Sequence, residues 1–203
     1  MSIRNSHIAE LFYSFIEKSI LPKLSKTFSH PNHFSLLGLG IALLVPPGFY
    51  LHPLVGLLFM ILSGISDIMD GLLARKKGLE TPFGAFLDSS LDRCSDFCFL
   101  SGFWVLFRHS DLFIQASVLI FTAMFLVQFI SYIKARAQSM WVECDTGLME
   151  RGARTVYLMV WAALLGIFPS FYHLILWSGL ILFCLLCLFT VFQRFQHIAA
   201  SLK

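Results

Sequence analysis

Three long segments of the sequence contain no charged side chain, and they constrain the fold more than any other feature. No Asp, Glu, Lys or Arg occurs in residues 33–66, 112–133 or 155–193. A transmembrane helix needs roughly 20 apolar residues, so two of these segments are long enough to cross a bilayer twice. A hydrophobic content of 57% and a mean hydropathy of +0.76 exclude an ordinary soluble domain. The chain is therefore predicted to be an all-α membrane protein.

Six transmembrane helices are expected, of which the second and third carry acidic residues near one end. The predicted spans are about 33–51, 54–75, 84–107, 112–136, 153–169 and 172–194. Proline and glycine interrupt helices, so turns are expected from Pro46 to Pro53 and at Pro169. These spans form one predicted domain, residues 31–203.

Residues 1–30 are predicted to form a separate amphipathic helix that lies in the membrane interface. Apolar side chains recur there at helical spacing, with polar side chains between them, until Pro22. The apolar positions are Ile8, Leu11, Phe12, Phe15, Ile16 and Ile20. An uninterrupted apolar core of signal-peptide type is not found in this segment.

The distribution of cations predicts which side of the membrane each loop occupies, because Lys and Arg concentrate in cytoplasmic loops. Cations cluster before the first span, after the second, around the loop between the fourth and fifth, and at the carboxyl end; the opposite loops contain only Arg108. Both termini are therefore expected to be cytoplasmic, in a protein of the inner (cytoplasmic) membrane. The net charge of +3 is attributed to this topology and to anionic lipid, and no nucleic-acid partner is expected.

Four aspartates mark the candidate site. Asp67 and Asp70 lie three residues apart with Gly71 and Ala74 on the same helical face, since offsets of 0, 3, 4 and 7 repeat near 3.6. Gly84 and two further aspartates share one face of the next helix at four-residue steps. These aspartates are Asp88 and Asp92. Two antiparallel helices joined by a short connection bring the two stripes together.

Four converging carboxylates would repel one another, and divalent cations would offset that repulsion. Oxygen ligands without His or paired Cys suit Mg²⁺, Mn²⁺ or Ca²⁺, and two such ions about 3.5–4 Å apart support phosphoryl chemistry. Gly71 and Gly84 leave room for a nucleotide, and Arg75 can make a forked contact with phosphate. Two alternatives are a cation or proton pathway and structural ion pairs with Arg75, Lys76 or Arg93.

The acidic segment resembles the signature of the CDP-alcohol phosphotransferase family, D-x2-D-G-x2-A-R-x8-G-x3-D-x3-D. All eight fixed positions match: Asp67, Asp70, Gly71, Ala74, Arg75, Gly84, Asp88 and Asp92. The number of spans, the amino-terminal interfacial helix and Pro31-Asn32 before the first span extend the resemblance over nearly the whole chain.

The resemblance implies a homodimer with a cytosol-facing site in each protomer. It implies that two divalent ions, Mg²⁺ or Mn²⁺, are held by Asp67, Asp70, Asp88 and Asp92, and that Asp92 is the general base. The CDP-lipid would contact Asp70, Gly71, Ala74, Arg75, Thr81 and Gly84. The implied reaction transfers the phosphatidyl group of CDP-diacylglycerol to an alcohol and releases CMP.

The acceptor is predicted from four cations at two helix ends, Lys134, Arg136, Arg151 and Arg154. They are expected to meet above the acids and to bind an acceptor that already carries phosphate. The segments SYIKARAQ and GLMERGAR that contain them resemble the family branch that makes phosphatidylinositol phosphate, although Gln138 replaces a Glu of that branch. The best prediction is inositol 1-phosphate; glycerol 3-phosphate, another family acceptor and an ion transporter are the alternatives.

Overall fold

The computed structural model describes residues 30–202, and within that range the chain forms helices and no strands. Seven α-helices and one 3-10 turn follow in order. They are α1 (Asn32–Ala42), α2 (Val45–Leu51), α3 (Pro53–Lys77), α4 (Pro82–Leu106), α5 (Phe113–Ser139), α6 (Arg151–Ile167), the turn Pro169–Phe171 and α7 (Tyr172–Ser201). The all-α prediction is confirmed. The predicted interfacial helix of residues 1–30 lies outside the described residues except for its last position.

Four parts of the described chain are long and apolar enough to cross a membrane, namely Asn32–Leu51, Pro53–Lys77, Phe113–Ser139 and Pro169–Ser201. The two other predicted spans correspond to α4 and α6. The helix α4 carries Asp88, Asp92, Arg93 and Asp96, and α6 has only 17 residues. Composition and length therefore support an integral membrane protein and identify four candidate spans in residues 30–202, and the count of six stays a prediction.

The first predicted turn, from Pro46 to Pro53, is confirmed at its carboxyl end. Pro46 and Pro47 lie in the first turn of α2. Backbone N–H groups in a first turn have no intrahelical acceptor, so proline, which lacks the N–H, is tolerated there. The chain reverses at His52, which has extended backbone angles and accepts a hydrogen bond from Leu54 N at 3.2 Å to begin α3. The prolines thus divide the first span into α1 and α2. The turn predicted at Pro169 is confirmed by the 3-10 turn.

A short connection, residues 78–81, joins the two helices that carry the acids. Gly78 ends α3 in the left-handed conformation at φ 62°, which glycine adopts without steric cost. Thr81 begins α4 by accepting a hydrogen bond from Gly84 N at 3.0 Å. Because both helix ends are capped within this connection, the acidic ends of α3 and α4 are held at the same end of the molecule.

Aromatic rings fill the interior at the opposite end. The ring of Phe103 on α4 stacks on Trp161 of α6 at a centroid distance of 4.0 Å and contacts Phe49 of α2 at 4.9 Å. A side chain at Gly102 would overlap the Phe49 ring, and one at Gly179 would overlap Trp161. Small residues at helix contacts allow this close approach, as is common in membrane proteins.

The outer surface is apolar. In the four candidate spans only 33–39% of the residues are buried, although the mean hydropathy of these spans is 1.8–2.6. Many of their apolar side chains are exposed, including Leu51, Ile114, Phe125 and Leu174. A surface of this kind is stable against lipid and not against water.

Candidate active site

Three of the four predicted aspartates form a compact cluster between α3 and α4. Asp67, Asp70 and Asp88 each offer a carboxylate oxygen, and these oxygens lie within 4.8 Å of one another. The helix α3 supplies the first two from one face, and α4 supplies the third. The convergence predicted from helical spacing is confirmed for these three side chains.

Asp92 is connected to the cluster through an arginine of α6. Arg151 donates to both oxygens of Asp67, at 2.9 and 3.2 Å, and its Nη2 also forms an ion pair with Asp92. Asp92 is buried, whereas Arg151 keeps 38% of its side chain exposed. The guanidinium of this α6 residue therefore bridges Asp67 of α3 and Asp92 of α4.

A hydroxyl from α1 orients one member of the cluster. Ser35 Oγ donates to Asp70 Oδ2 at 2.5 Å, and the Asp70 carboxylate is itself buried. The split of the first span brings this residue to the site, since α1 packs on both α3 and α4. Sequence reasoning did not identify Ser35, because it lies outside the acidic segment and its partner is 35 residues away.

The charge balance of the cluster fits divalent cations. Four carboxylates face one another, and Arg151 is the one side chain of residues 30–202 that forms an ion pair with any of them. Arg75, Lys76 and Arg93, the alternative partners, form none of the ion pairs found in this range; Arg93 instead donates to Ser89 O of its own helix. The donors are oxygens, which suit Mg²⁺ or Mn²⁺ and disfavour softer metals.

The small residues around the cluster border a shallow surface. The guanidinium of Arg75 lies over Gly71, 3.6 Å from the position that a Cβ would occupy, and the side chain is exposed. Gly84 faces Thr81 Oγ1 and Asn32 Oδ1 at 3.1 and 3.8 Å from the same kind of position. Ala74 is half-buried on the stripe between them. Any larger residue at Gly84 would press against the cap of α4.

A polar cavity of about 290 Å³ adjoins the cluster. Its lining includes five cations and three acids: Arg93, Lys134, Arg151, Arg154, Arg194, Asp92, Asp96 and Glu150. The excess of positive charge and the small volume suit a small anionic molecule. Asp92 and Arg151 line this cavity and also belong to the acidic site, so the two spaces meet at these side chains.

Three of the four predicted acceptor cations line this cavity, and the fourth does not. Arg151 and Arg154 come from α6, and Lys134 comes from α5. Lys134 Nζ pairs with Asp145 Oδ1 at 2.6 Å, and this hydrogen bond holds the pKa of the Asp145 carboxyl below its usual value. Arg136 is exposed, outside the cavity lining, with Nη1 3.4 Å from Ser139 Oγ.

Two charged groups of the cavity were missed by sequence reasoning. Arg194 of α7 is buried; its Nε donates to Thr146 O at 3.0 Å and its Nη1 to Ile130 O at 2.5 Å. Asp96 of α4 is buried against Arg154 at 2.9 Å. The sequence contained a signal for Asp96, which continues the four-residue step of the acids, whereas Arg194 resembled an ordinary cation at a span end.

A much larger, mainly apolar groove also borders the acids and shares part of its lining with the cationic cavity. Its volume is about 1560 Å³, and its lining combines Asp67, Asp88 and Asp92 with apolar side chains of α1, α3, α4 and α6. Among these are Leu39, Ile61, Ile65, Phe99 and Met159. The groove can therefore take a ligand with a polar head near the acids and long apolar chains.

The comparison with known families decides the class of the protein. Residues 28–192 match the sequence profile of the CDP-alcohol phosphatidyltransferase family. The chain belongs to this family. The resemblance found in the acidic signature is thus confirmed over most of the chain, and the protein is a membrane-embedded CDP-alcohol phosphatidyltransferase.

Some relatives of this CDP-alcohol phosphatidyltransferase match it over nearly their whole length, and solved structures share its fold. The archaetidylinositol phosphate synthase of Aeropyrum pernix is 35% identical over 198 residues, which cover 94% of this chain and 95% of the relative. The crystal structure of Mycobacterium tuberculosis phosphatidylinositol phosphate synthase with CDP-DAG bound has a TM-score of 0.76 at 27% identity, covering 90% of this chain and 93% of that one. The same enzyme in complex with manganese and citrate gives 0.77 at 27% identity, covering 90% and 88%.

Proposed function

We propose that this transferase moves the phosphatidyl group of CDP-diacylglycerol, or of a closely similar CDP-linked lipid, to inositol 1-phosphate and releases CMP. The observation that carries the proposal is the shared position of Asp92. It lines the cationic cavity beside Arg151 and also borders the acidic cluster and the apolar groove. An acceptor held by its phosphate in the cavity would present a hydroxyl group next to this carboxylate.

The residues have separate roles in this proposal. Asp67, Asp70 and Asp88, with Asp92 beside them, hold two divalent ions, Mg²⁺ or Mn²⁺; a manganese complex of the M. tuberculosis relative supports this choice. When bound, such ions neutralise charge on the phosphate groups. The CDP-lipid contacts Asp70, Gly71, Ala74, Arg75, Thr81 and Gly84, and its chains occupy the apolar groove. The bound CDP-DAG of the relative supports that assignment.

The reaction is a single displacement at phosphorus. Asp92 accepts the proton of the acceptor hydroxyl, and the hydroxyl oxygen attacks the phosphorus that carries the diacylglycerol. The bond from that phosphorus to the bridging oxygen breaks, and CMP leaves with the electron pair. Lys134, Arg151 and Arg154 hold the acceptor phosphate, and Arg194 adds a fourth cation. Arg136 was predicted to join them, and its exposed position outside the cavity favours a role in membrane topology.

The names of the relatives favour inositol phosphate over glycerol 3-phosphate, which carries the same phosphate and is the second candidate. Family membership favours a transferase over the ion-transport alternative. The proposal also includes six spans, a homodimer, and a cytoplasmic position for both the active site and the termini in the inner membrane. The distribution of cations supports this orientation.

The test is CMP release by the purified protein in mixed micelles of CDP-diacylglycerol with Mg²⁺ or Mn²⁺. The acceptor panel contains inositol 1-phosphate, glycerol 3-phosphate, free inositol, serine and no acceptor. Inositol 1-phosphate is expected to give the highest kcat/KM, and free inositol is the control for the phosphate group. Preference for an acceptor without phosphate would contradict the assignment of the cationic cavity.

A further inference from the structure

The least exposed ion pair among the described residues lies in the wall of the cationic cavity. Arg154 Nη2 donates to Asp96 Oδ2 at 2.9 Å, and the two side chains are only 3% and 6% exposed. Arg154 Nη1 donates to Met149 O at 3.0 Å. Its Nε is the one buried side-chain nitrogen or oxygen in residues 30–202 without a hydrogen-bond partner.

This pair is the second of two contacts of the same type between α4 and α6. Asp92 and Asp96 are four residues apart on α4, and Arg151 and Arg154 are three residues apart on α6, so each set occupies one helical face. Asp92 pairs with Arg151, and Asp96 pairs with Arg154. The first pair is open to solvent through Arg151, whereas the second is dry.

Stability alone does not account for a dry pair at this place. Removing two charges from water is expensive, and their mutual attraction rarely exceeds what packed apolar side chains would contribute. The pair also leaves the Arg154 Nε–H without a partner, which is a further unfavourable term. What the pair does provide is a fixed guanidinium, because Asp96 and Met149 O hold two of its three nitrogens.

We propose that Asp96 is a positioning residue for acceptor binding: it fixes Arg154 in the cavity wall so that this cation meets the phosphate of the acceptor. This inference rests on the proposed function, since it takes the cavity to be the site of a phosphorylated acceptor. Asp96 is not one of the four acids of the signature, and it borders both the cationic cavity and the apolar groove. It acts through Arg154.

The effect of charge and the effect of position have opposite signs at Asp96, and this makes the proposal testable. As a charge in the cavity wall, Asp96 repels phosphate, so neutralising it would strengthen acceptor binding. As a positioning residue, it keeps Arg154 in place, so neutralising it would weaken acceptor binding. The direction of the change in acceptor KM therefore separates the two roles.

The experiment measures KM for inositol 1-phosphate, KM for CDP-diacylglycerol and kcat for the purified enzyme and its variants. Asp96→Asn is expected to raise the acceptor KM about tenfold or more, the loss associated with one hydrogen bond to a charged group, with the CDP-diacylglycerol KM unchanged. Asp96→Glu keeps the charge but displaces the guanidinium, so it too is expected to raise the acceptor KM. Arg154→Lys, which cannot hold Asp96 and Met149 O together, should match Asp96→Asn and add little to it in the double variant.

The matched control is Tyr157→Phe, one helical turn beyond Arg154 on the same helix. It removes a hydrogen bond of 2.8 Å from Tyr157 Oη to Gly179 O, outside the cavity lining. It should lower the melting temperature without changing the acceptor KM. If Asp96→Asn does not fold, the Asp96→Glu and Arg154→Lys comparison carries the test.

The outcomes distinguish this inference from the function on which it rests. A lower or unchanged acceptor KM in Asp96→Asn, or an equal rise in both KM values, would overturn the positioning role while the wild-type activity stands. If the wild-type protein fails to release CMP with every phosphorylated acceptor tested, the proposed function is overturned, and this inference with it.

Discussion

Asp92 has a different environment from the other three acids, although all four belong to one signature. Asp67, Asp70 and Asp88 present oxygens to one another, and Arg151 pairs with both Asp67 and Asp92, but Asp92 alone of the four lines the cationic cavity. A carboxylate in that position is close to both substrates in the proposed complex. Its proposed role as proton acceptor rests on where it lies and not on its residue type, which it shares with the acids proposed to hold metal.

Asp92→Asn is expected to abolish CMP release, because an amide cannot accept the hydroxyl proton. CDP-diacylglycerol binding is expected to stay largely intact, because Asp67, Asp70 and Asp88 remain. Turnover is measured by CMP release, and binding is measured by lipid-dependent thermal stabilisation of the purified protein. Asp111→Asn, an equal change at an exposed position before α5, is the control and should be fully active. Loss of lipid binding in Asp92→Asn would refute the role of proton acceptor.

Ser35→Ala is expected to weaken metal binding by about tenfold, the lower end of the range for groups that orient metal ligands. The substitution removes the 2.5 Å hydrogen bond that orients Asp70 Oδ2. Binding of Mn²⁺ is followed directly by the loss of the free-ion signal in electron paramagnetic resonance. The control is Ser178→Ala. The Ser178 hydroxyl donates only to carbonyl oxygens of α7, so its removal should leave Mn²⁺ affinity unchanged. Equal affinities in the two variants would show that Ser35 does not orient the ligand.

The acids could be predicted at the residue scale because local spacing on a helix decides which side chains share a face. The cationic cavity could be predicted only in part. Arg194 and Asp96 became visible through pairings between helices distant in sequence, and Arg136 shares the sequence segment of Lys134 but points elsewhere. Local periodicity says which face a side chain occupies, but it does not say which other helix that face meets.

At the scale of elements, the loop of residues 140–150 determines where α6 begins. Hydrogen bonds tie it to α7: Met149 N donates to Thr190 Oγ1 at 3.0 Å, and Arg194 Nε donates to Thr146 O at 3.0 Å. The ion pair of Lys134 with Asp145 ties it to α5. Since Arg151 is the first residue of α6, the loop also sets the position of the arginines that face the acids.

Gly147→Ala is expected to displace this loop, to lower the melting temperature and to raise the acceptor KM, because α6 and its arginines begin directly after the loop. Gly147 has φ 120°, and a Cβ there would lie 2.5 Å from Thr190 Cγ2. The backbone strain alone is about 1–3 kcal/mol. Thermal unfolding and acceptor KM are the measurements. Gly40→Ala, where nothing lies within 4 Å of the added methyl, is the control, and wild-type values in Gly147→Ala would contradict the role of the loop.

The positions of the elements were largely predictable from hydropathy, and the exceptions have physical causes. The charge-free segments cover α1 and α2 and most of α3, α5, α6 and α7, while α3, α5 and α7 each continue several residues into charged sequence. Within the predicted turn from Pro46 to Pro53 the chain reverses only at His52, because proline interrupts a helix only beyond its first turn. The ends of α3 and α4 depend on Gly78 and Thr81, whose capping contacts become visible only in three dimensions.

At the scale of the whole molecule, the protein is polar at one end and apolar over most of its surface. The acids, the cavity and the 78–81 connection lie at the ends of the helices where cations collect, and the aromatic interior lies at the other end. A soluble enzyme would bury its apolar side chains, whereas this one exposes them. The membrane therefore acts as part of the solvent that stabilises the fold.

The two ends are predicted to lie on opposite sides of the membrane, with the acidic end cytoplasmic. Lys76→Cys and His109→Cys introduce thiols at exposed positions at the end of α3 and after α4. In intact cells a membrane-impermeant maleimide should label the variant at position 109 and not the variant at position 76, after subtraction of labelling in the parent chain. Permeabilised cells should label both. The reverse pattern would invert the proposed orientation.

The cationic cavity and the apolar groove share part of their lining, because Asp92 of α4 and Arg151 of α6 border both spaces. The helices α1 and α3 line only the groove, and α5 lines only the cavity. A substitution in α6 can therefore alter both proposed substrate sites together, whereas one on the lining face of α5 alters only the proposed acceptor site. Acceptor preference can thus be tuned independently of the donor lipid through α5.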